Sequence, residues 1–171
     1  KEIIDKAPLY NFYITTDFSV SGKSTSDYSV ISVWAYNDNG DWFLVDGWIG
    51  KVTLDISINN LFRLVQMYSP VGTGIEVTGQ QQGFISMIQK EMRVRNIYFN
   101  LASNGNGRTA GIRPSTDKMS RFLLAVPLFK MGKMYFPTEL KETPFLIEMV
   151  EEVSLAMKGG FKSKHDDCID T

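Results

Sequence analysis

The sequence predicts an α/β fold in which a mixed five-stranded sheet is flanked by helices. Three β-rich segments open the chain and are joined by turn signals, and helical repeats alternate with short apolar segments after them. Apolar residues make up 43% of the 171 residues, which is enough for a complete core. A single domain over residues 1–171 accounts for this length.

The first half of the predicted sheet consists of three antiparallel strands. Phe12–Asp17 alternates apolar and polar residues with the period of a strand. Tyr28–Tyr36 is a nearly continuous run of β-forming residues, which is typical of a strand buried on both faces. Asn37–Gly40 is a hairpin turn signal, and Trp42–Ile49 is the returning strand.

Helices alternate with strands in the second half, so parallel crossovers are expected there. Apolar residues that recur every three or four positions predict the helices, and short apolar runs predict the strands. The predicted elements are a helix Leu54–Tyr68, a strand Gly74–Thr78, a helix Gln80–Arg93, a strand Ile97–Leu101, a helix Ser115–Val126 ended by Pro127, and a helix that begins at Pro144 with Thr143 as its cap.

Composition excludes several classes of protein. No run approaches the roughly 18 uninterrupted apolar residues of a membrane span, and the first residues lack the apolar region of a signal peptide. One Cys excludes an internal disulfide framework and suits a reducing compartment. One Cys and one His also exclude a Cys/His zinc site, so any metal must be held by oxygen ligands. The missing initiator Met predicts that the chain is part of a longer protein.

Charge is distributed unevenly, although the net charge is only −1. Between residues 104 and 133 the chain carries Arg108, Arg113, Lys118, Arg121, Lys130 and Lys133 against Asp117 alone. Between residues 139 and 152 the chain carries five Glu residues and one Lys. A basic stretch beside acidic residues suits an enzyme that acts on a polyanion with a metal ion, although an uneven solvated surface remains the alternative.

Several acidic residues occupy positions in the predicted fold that suggest a shared site. Asp17 ends the first strand, Glu76 lies inside a short apolar strand, and Asp166 and Asp167 stand at the start of a final helix that begins near Asp166. Isolated buried carboxylates are costly unless they are paired or bind a metal. The alternatives are that Asp17 caps a turn, that Glu76 pairs with a Lys or Arg, and that Asp166 caps the helix.

A phosphate-loop fragment, Gly22-Lys23-Ser24, lies between the first two strands. The full motif requires a Gly where Asp17 stands and a helix directly afterwards, whereas a β-rich segment follows. We therefore interpret this segment as a loop beside the metal site. Lys23 is predicted to meet DNA phosphate, and Asp27 is predicted to be an outer carboxylate.

Five motifs in order resemble the nuclease domain of the large terminase subunits of tailed bacteriophages, a ribonuclease-H-like family. They are DFSVSGKSTSDY at Asp17–Tyr28, GIE at Gly74–Glu76, DKMSRF at Asp117–Phe122, MGKMYFP at Met131–Pro137 and KHDD at Lys164–Asp167. The resemblance implies an endonuclease that cuts double-stranded viral DNA concatemers during genome packaging, by phosphodiester hydrolysis with two Mg²⁺ or Mn²⁺ ions.

The resemblance also assigns roles to residues. Asp17, Glu76 and Asp167 would be catalytic metal ligands, with Asp166 and Asp27 as further acidic positions. For His165 we expect a role in orienting the carboxylates, with assistance of proton transfer as the alternative. Lys118 and Arg121 match basic positions of the family that would contact phosphate, with a solvated helix face as the alternative. Lys23, Arg108 and Arg113 are further candidate DNA contacts that the sequence itself offers. The implied partners are the portal protein, the small terminase subunit and an ATPase domain of the same chain, in the host cell cytoplasm and without a membrane.

Three alternatives to this function stay open at this stage. One is a Holliday-junction resolvase or transposase-like enzyme of the same fold. Another is a non-catalytic interaction domain that keeps the fold. The third is a phosphate-loop ATPase, which the incomplete motif does not favour.

Overall fold

The computed structural model describes residues 2–19, 28–77, 82–104, 109–159, 167–168 and 171. Its centre is a five-stranded sheet with the order β4-β1-β2-β3-β5. The strands are β1 (Asn11–Asp17), β2 (Ser29–Tyr36), β3 (Trp42–Gly50), β4 (Gly72–Ile75) and β5 (Met134–Tyr135). β1, β2 and β3 are antiparallel neighbours, whereas β4 and β5 pair in parallel at the two edges. The predicted mixed five-stranded α/β sheet is confirmed.

One face of the sheet carries the larger core. Phe12 and Ile14 of β1 and Ile31 and Val33 of β2 contribute to it, in the alternation expected of strands. The helices α2 (Leu54–Tyr68) and α3 (Gln82–Arg95) cover this face. α2 has the predicted bounds because its apolar residues recur at helical spacing, and Leu61 and Leu64 are fully buried.

The opposite face holds a second, smaller core formed by α5 (Pro144–Gly159). Thr143 caps this helix, since its hydroxyl accepts a hydrogen bond from the Leu146 amide at 3.3 Å. The Phe145 ring lies against Gly47 of β3 so closely that a Cβ at Gly47 would come within 2.0 Å of it. A glycine in the strand therefore allows the helix to dock.

α4 (Lys118–Lys130) lines a cavity together with α5 and is less deeply packed. Phe122 is its one buried residue, whereas Leu123 and Leu124 are exposed. The predicted end of this helix at Pro127 is wrong, because α4 continues through Pro127 to Lys130. Proline frees the carbonyl of residue 123 from its helical hydrogen bond, and water can satisfy that group on such an exposed turn.

The fifth strand also differs from the prediction. Ile97–Leu101 forms no strand and, among the described residues, makes one isolated bridge, between Leu101 and Thr73 of β4. Ile112 takes the next position along that edge and bridges Glu76. Two segments thus share the short edge of β4, and the fifth strand of the sheet is the two-residue β5 beside β3. α1 (Glu2–Asp5) precedes the sheet.

Candidate metal centre

Asp17 and Glu76 lie side by side at one end of the sheet. β1 and β4 run in parallel with Thr16 opposite Ile75, and the Glu76 amide donates to the Thr16 carbonyl at 3.1 Å. Asp17 and Glu76 are the next residues of the two strands. Their neighbours Thr16, Ile75 and Val77 are buried toward the larger core, so strand alternation directs both carboxylates to the opposite face.

Asp167 reaches the same end of the sheet from the C-terminal part of the chain. Its Oδ2 accepts a hydrogen bond from the Tyr28 amide at 3.1 Å. Tyr28 directly precedes β2, where Val30 pairs with Asp17. Asp167 is only 9% exposed, and the adjacent Cys168 is fully buried in the smaller core beside Val30. Residues distant in sequence therefore bring carboxylates to one end and one face of the sheet.

A cavity of about 440 Å³ opens beside Glu76 under the N-terminal half of α4. Lys118, Arg121 and Arg113 contribute cationic side chains to its wall. The guanidinium of Arg121 lies 3.9 Å from Glu76 Oε1, with both side chains partly buried. The Glu76 carboxylate and a basic wall thus face the same cavity, a charge arrangement that suits the binding of both a cation and a phosphate.

The chemistry of the donors fits a hard divalent cation. Asp17, Glu76 and Asp167 offer carboxylate oxygens, the ligands preferred by Mg²⁺ and Mn²⁺. Within the described ranges, however, no three acidic, His or Cys side chains converge into a complete ligand set. The Arg121 guanidinium stands near Glu76, and Asp167 accepts from a backbone amide, so these carboxylates have contacts of their own without a cation.

Of the other predicted site residues, the structure describes Arg113 but not the remaining five. Arg113 lines the cavity, but its guanidinium lies 3.3 Å from the Ala110 carbonyl and 3.4 Å from the Gly111 carbonyl, so it also braces its own loop. Asn104 holds the same loop through the Arg113 amide and carbonyl. The predictions for Lys23, Asp27, Arg108, His165 and Asp166 fall outside the described residues.

A further carboxylate beside this region was missed by the sequence interpretation. Glu152 of α5 is 1% exposed, and the Cys168 thiol donates a hydrogen bond to it. Burial, and then the charges of Glu152, Glu148 and Asp167, raise the pKa of that thiol well above its ordinary value. The signal was available, because Glu152 lies three residues after Met149 and four before Ala156, on the buried helix face.

No family model matches the sequence, and no curated protein matches it. Solved structures do match. The large terminase nuclease of thermophilic phage G20c with bound magnesium superposes with a TM-score of 0.61 at 15% identity, over 95% of this chain and 78% of that one. The human cytomegalovirus terminase nuclease domain, soaked with Mn and bound to an inhibitor, gives 0.60 at 9% identity, over 95% and 81%.

This chain has the terminase nuclease fold. The ribonuclease-H-like architecture implied by the resemblance is thereby confirmed. The HK97 bacteriophage large terminase matches over 75% of this chain and 30% of its own length, with a TM-score of 0.51 at 10% identity. Among the described helices, none has the length and apolar character needed to cross a membrane.

Proposed function

We propose that this chain is a divalent-metal-dependent endonuclease that hydrolyses phosphodiester bonds of double-stranded DNA. The observation that carries the proposal is the position of Asp17 and Glu76 on adjacent parallel strands, facing the same side as Asp167, in a fold shared with terminase nucleases. The basic cavity wall beside Glu76 would give a DNA phosphate group a place to bind.

The roles of the described residues follow from their positions, and those of Asp166, Asp27, Lys23 and Arg108 follow from the sequence alone. Asp17, Glu76 and Asp167 hold the cations, with Asp166 and Asp27 as additional acidic groups, and two bound Mg²⁺ or Mn²⁺ ions would activate water and stabilise the leaving oxygen. Lys118 and Arg121 contact phosphate from the cavity wall, and Arg113 keeps the adjoining loop in shape. Lys23 and Arg108 extend the phosphate contacts.

The biological substrate that we propose is concatemeric viral DNA, cut during genome packaging in the host cell cytoplasm. The resemblance in sequence motifs and the terminase nuclease fold support this. The chain would then be the nuclease part of a longer protein with an ATPase domain. Its partners would be the portal protein and the small terminase subunit.

Plasmid cleavage in Mn²⁺ tests the activity. Asp17→Asn, Glu76→Gln and Asp167→Asn each remove one anionic ligand with little change in shape, so each is expected to abolish cleavage while the fold is retained. Asp46→Asn is a matched control, because Asp46 lies in β3, accepts a hydrogen bond from Tyr68 and does not line the cavity. Full cleavage by one of the three variants would remove that residue from the site.

The choice of DNA separates the proposal from the resolvase alternative. A packaging nuclease is expected to cut linear and supercoiled duplexes with little preference for branched DNA. Cleavage confined to four-way junctions would overturn the packaging role while leaving the metal chemistry intact.

A further inference from the structure

A pair of hydroxyl groups lies opposite each other on the central strands, on the face covered by α4 and α5. Thr15 of β1 and Ser32 of β2 are direct cross-strand partners. The surroundings of Thr15 are mainly apolar, since it borders a cavity of about 270 Å³ whose wall includes Trp34, Phe122 and Met149. Ser32 is fully buried. Two polar side chains at such a place need hydrogen-bond partners.

Thr171 supplies the partner for both hydroxyls. Thr15 Oγ1 donates to the Thr171 carbonyl, and Ser32 Oγ lies 2.5 Å from Thr171 Oγ1. Thr171 is also attached to Cys168, because its amide and its hydroxyl both donate to the Cys168 carbonyl, at 3.2 and 2.7 Å. The two strand hydroxyls therefore hold Thr171 against the sheet, at one end of the C-terminal segment whose described residues are Asp167, Cys168 and Thr171.

The other end of this segment carries the candidate metal ligand. Asp167 is held by the Tyr28 amide at 3.1 Å, and Cys168 fills the smaller core between the two attachment points. Thr15 lies two residues before Asp17 on the same strand and the same face, about 7 Å away at the rise of a strand. Any movement of the segment along the sheet would change the distance between Asp17 and Asp167.

We infer that Thr15 and Ser32 are positioning residues that fix Asp167 opposite Asp17 by holding Thr171. This inference rests on the proposed function of Asp167 as a metal ligand. Neither hydroxyl needs to touch the cation or DNA. They keep the distance between Asp17 and Asp167 fixed before the metal binds. Metal binding then does not have to include the free-energy cost of ordering the C-terminal segment.

The chain provides a probe that does not depend on metal. Cys168 is the one cysteine in the sequence and is fully buried, so a thiol reagent such as DTNB labels it only when the segment opens. Losing one buried hydrogen bond raises the open population roughly three- to tenfold. Thr15→Val and Ser32→Ala are therefore expected to speed Cys168 labelling by that factor, and Thr15→Ser is expected to keep the wild-type rate.

Thr16→Val is the matched control. Thr16 is the next residue of the same strand and is buried, but it faces the larger core, where its hydroxyl has no hydrogen-bond partner among the described residues. Its labelling rate is expected to equal that of the wild type. Equal labelling of Thr15→Val and wild type would overturn the inference, as would equal acceleration in Thr15→Val and Thr16→Val, since the effect would then be general destabilisation.

Calorimetric titration of Mn²⁺ into the same four variants completes the test. Thr15→Val and Ser32→Ala are expected to raise the Kd for Mn²⁺ about three- to tenfold, with Thr15→Ser restoring it. Faster labelling with an unchanged Mn²⁺ affinity would overturn the positioning role. Absence of Mn²⁺ binding by the wild type would instead overturn the proposed function, a result distinguishable because the labelling rates are measured without metal.

Discussion

The guanidinium of Arg121 lies 3.9 Å from the carboxylate of Glu76, across the cavity beside the candidate metal centre. The contact joins a helix of the outer layer to the edge of the sheet, and both side chains are partly buried. Arg121 is thus a fixed positive charge near a proposed cation ligand. This charge is expected to weaken metal binding and to strengthen DNA binding.

Arg121→Ala is expected to lower the Kd for Mn²⁺ and to weaken DNA binding. Removing the guanidinium frees Glu76 from a competing cation and removes repulsion of the metal, while one phosphate contact is lost. Calorimetry measures the first effect. The slope of log K against log salt for duplex binding measures the second, and it is expected to fall by about 1.

Lys130→Ala is the control for this experiment. Lys130 lies at the other end of α4, is exposed, and does not line the cavity. Mn²⁺ affinity and salt dependence are expected to stay at the wild-type values. Arg121→Ala with unchanged Mn²⁺ affinity and unchanged salt slope would show that Arg121 only braces the helix.

The start of α4 is expected to respond to acid. The Ser120 hydroxyl and amide hydrogen bonds hold the pKa of the Asp117 carboxyl below its ordinary value of 3.8. A lowered folded-state pKa contributes stability above the unfolded pKa, and this contribution disappears as the pH falls through the folded pKa. The Ser120 amide resonance, followed by NMR from pH 6 to pH 2, is expected to titrate below pH 3.8.

Asp117→Asn separates the cap from the charge. Asparagine caps a helix about as well as aspartate but does not titrate. The Ser120 resonance of this variant is expected to stay constant over the same pH range. A Ser120 midpoint above 3.8 in the wild type would contradict the capping contacts.

Gly47→Ala is expected to lower the free energy of unfolding by about 1–3 kcal/mol, the usual cost of overpacking a core. The new Cβ would lie 2.0 Å from the Phe145 ring, so α5 must shift or its ring must turn. Gly83→Ala is the control, since among the described residues no atom outside its own helical turn lies within 4 Å of a Cβ there. Urea unfolding measures both, and equal stability of Gly47→Ala and wild type would contradict the tight docking of α5.

Local patterns predicted most of the fold. The first three strands and α2 follow from residue spacing and a hairpin turn, which are local properties. β5 has only two residues and shows no periodicity, and its pairing with β3 depends on how the chain returns to the sheet. The extension of α4 past Pro127 depends equally on its exposure, which local spacing does not reveal.

The candidate site was predicted only in part, for a similar reason. Asp17 and Glu76 could be placed together because adjacent parallel strands end at the same edge. The hydroxyls of Thr15 and Ser32 could not, because their pairing requires the register of β1 on β2 and the return of Thr171 to that point. The contact between Arg121 and Glu76 likewise depends on the position of α4 over the sheet.

A crystal soaked in Mn²⁺ and measured for anomalous scattering tests the central claim most directly. The account predicts two anomalous peaks roughly 3.5–4 Å apart, bounded by the carboxylates of Asp17, Glu76 and Asp167. It also predicts that the Arg121 guanidinium moves away from Glu76 when they appear. Absence of anomalous density at that end of the sheet, at a Mn²⁺ concentration that fills other sites in the crystal, would contradict it.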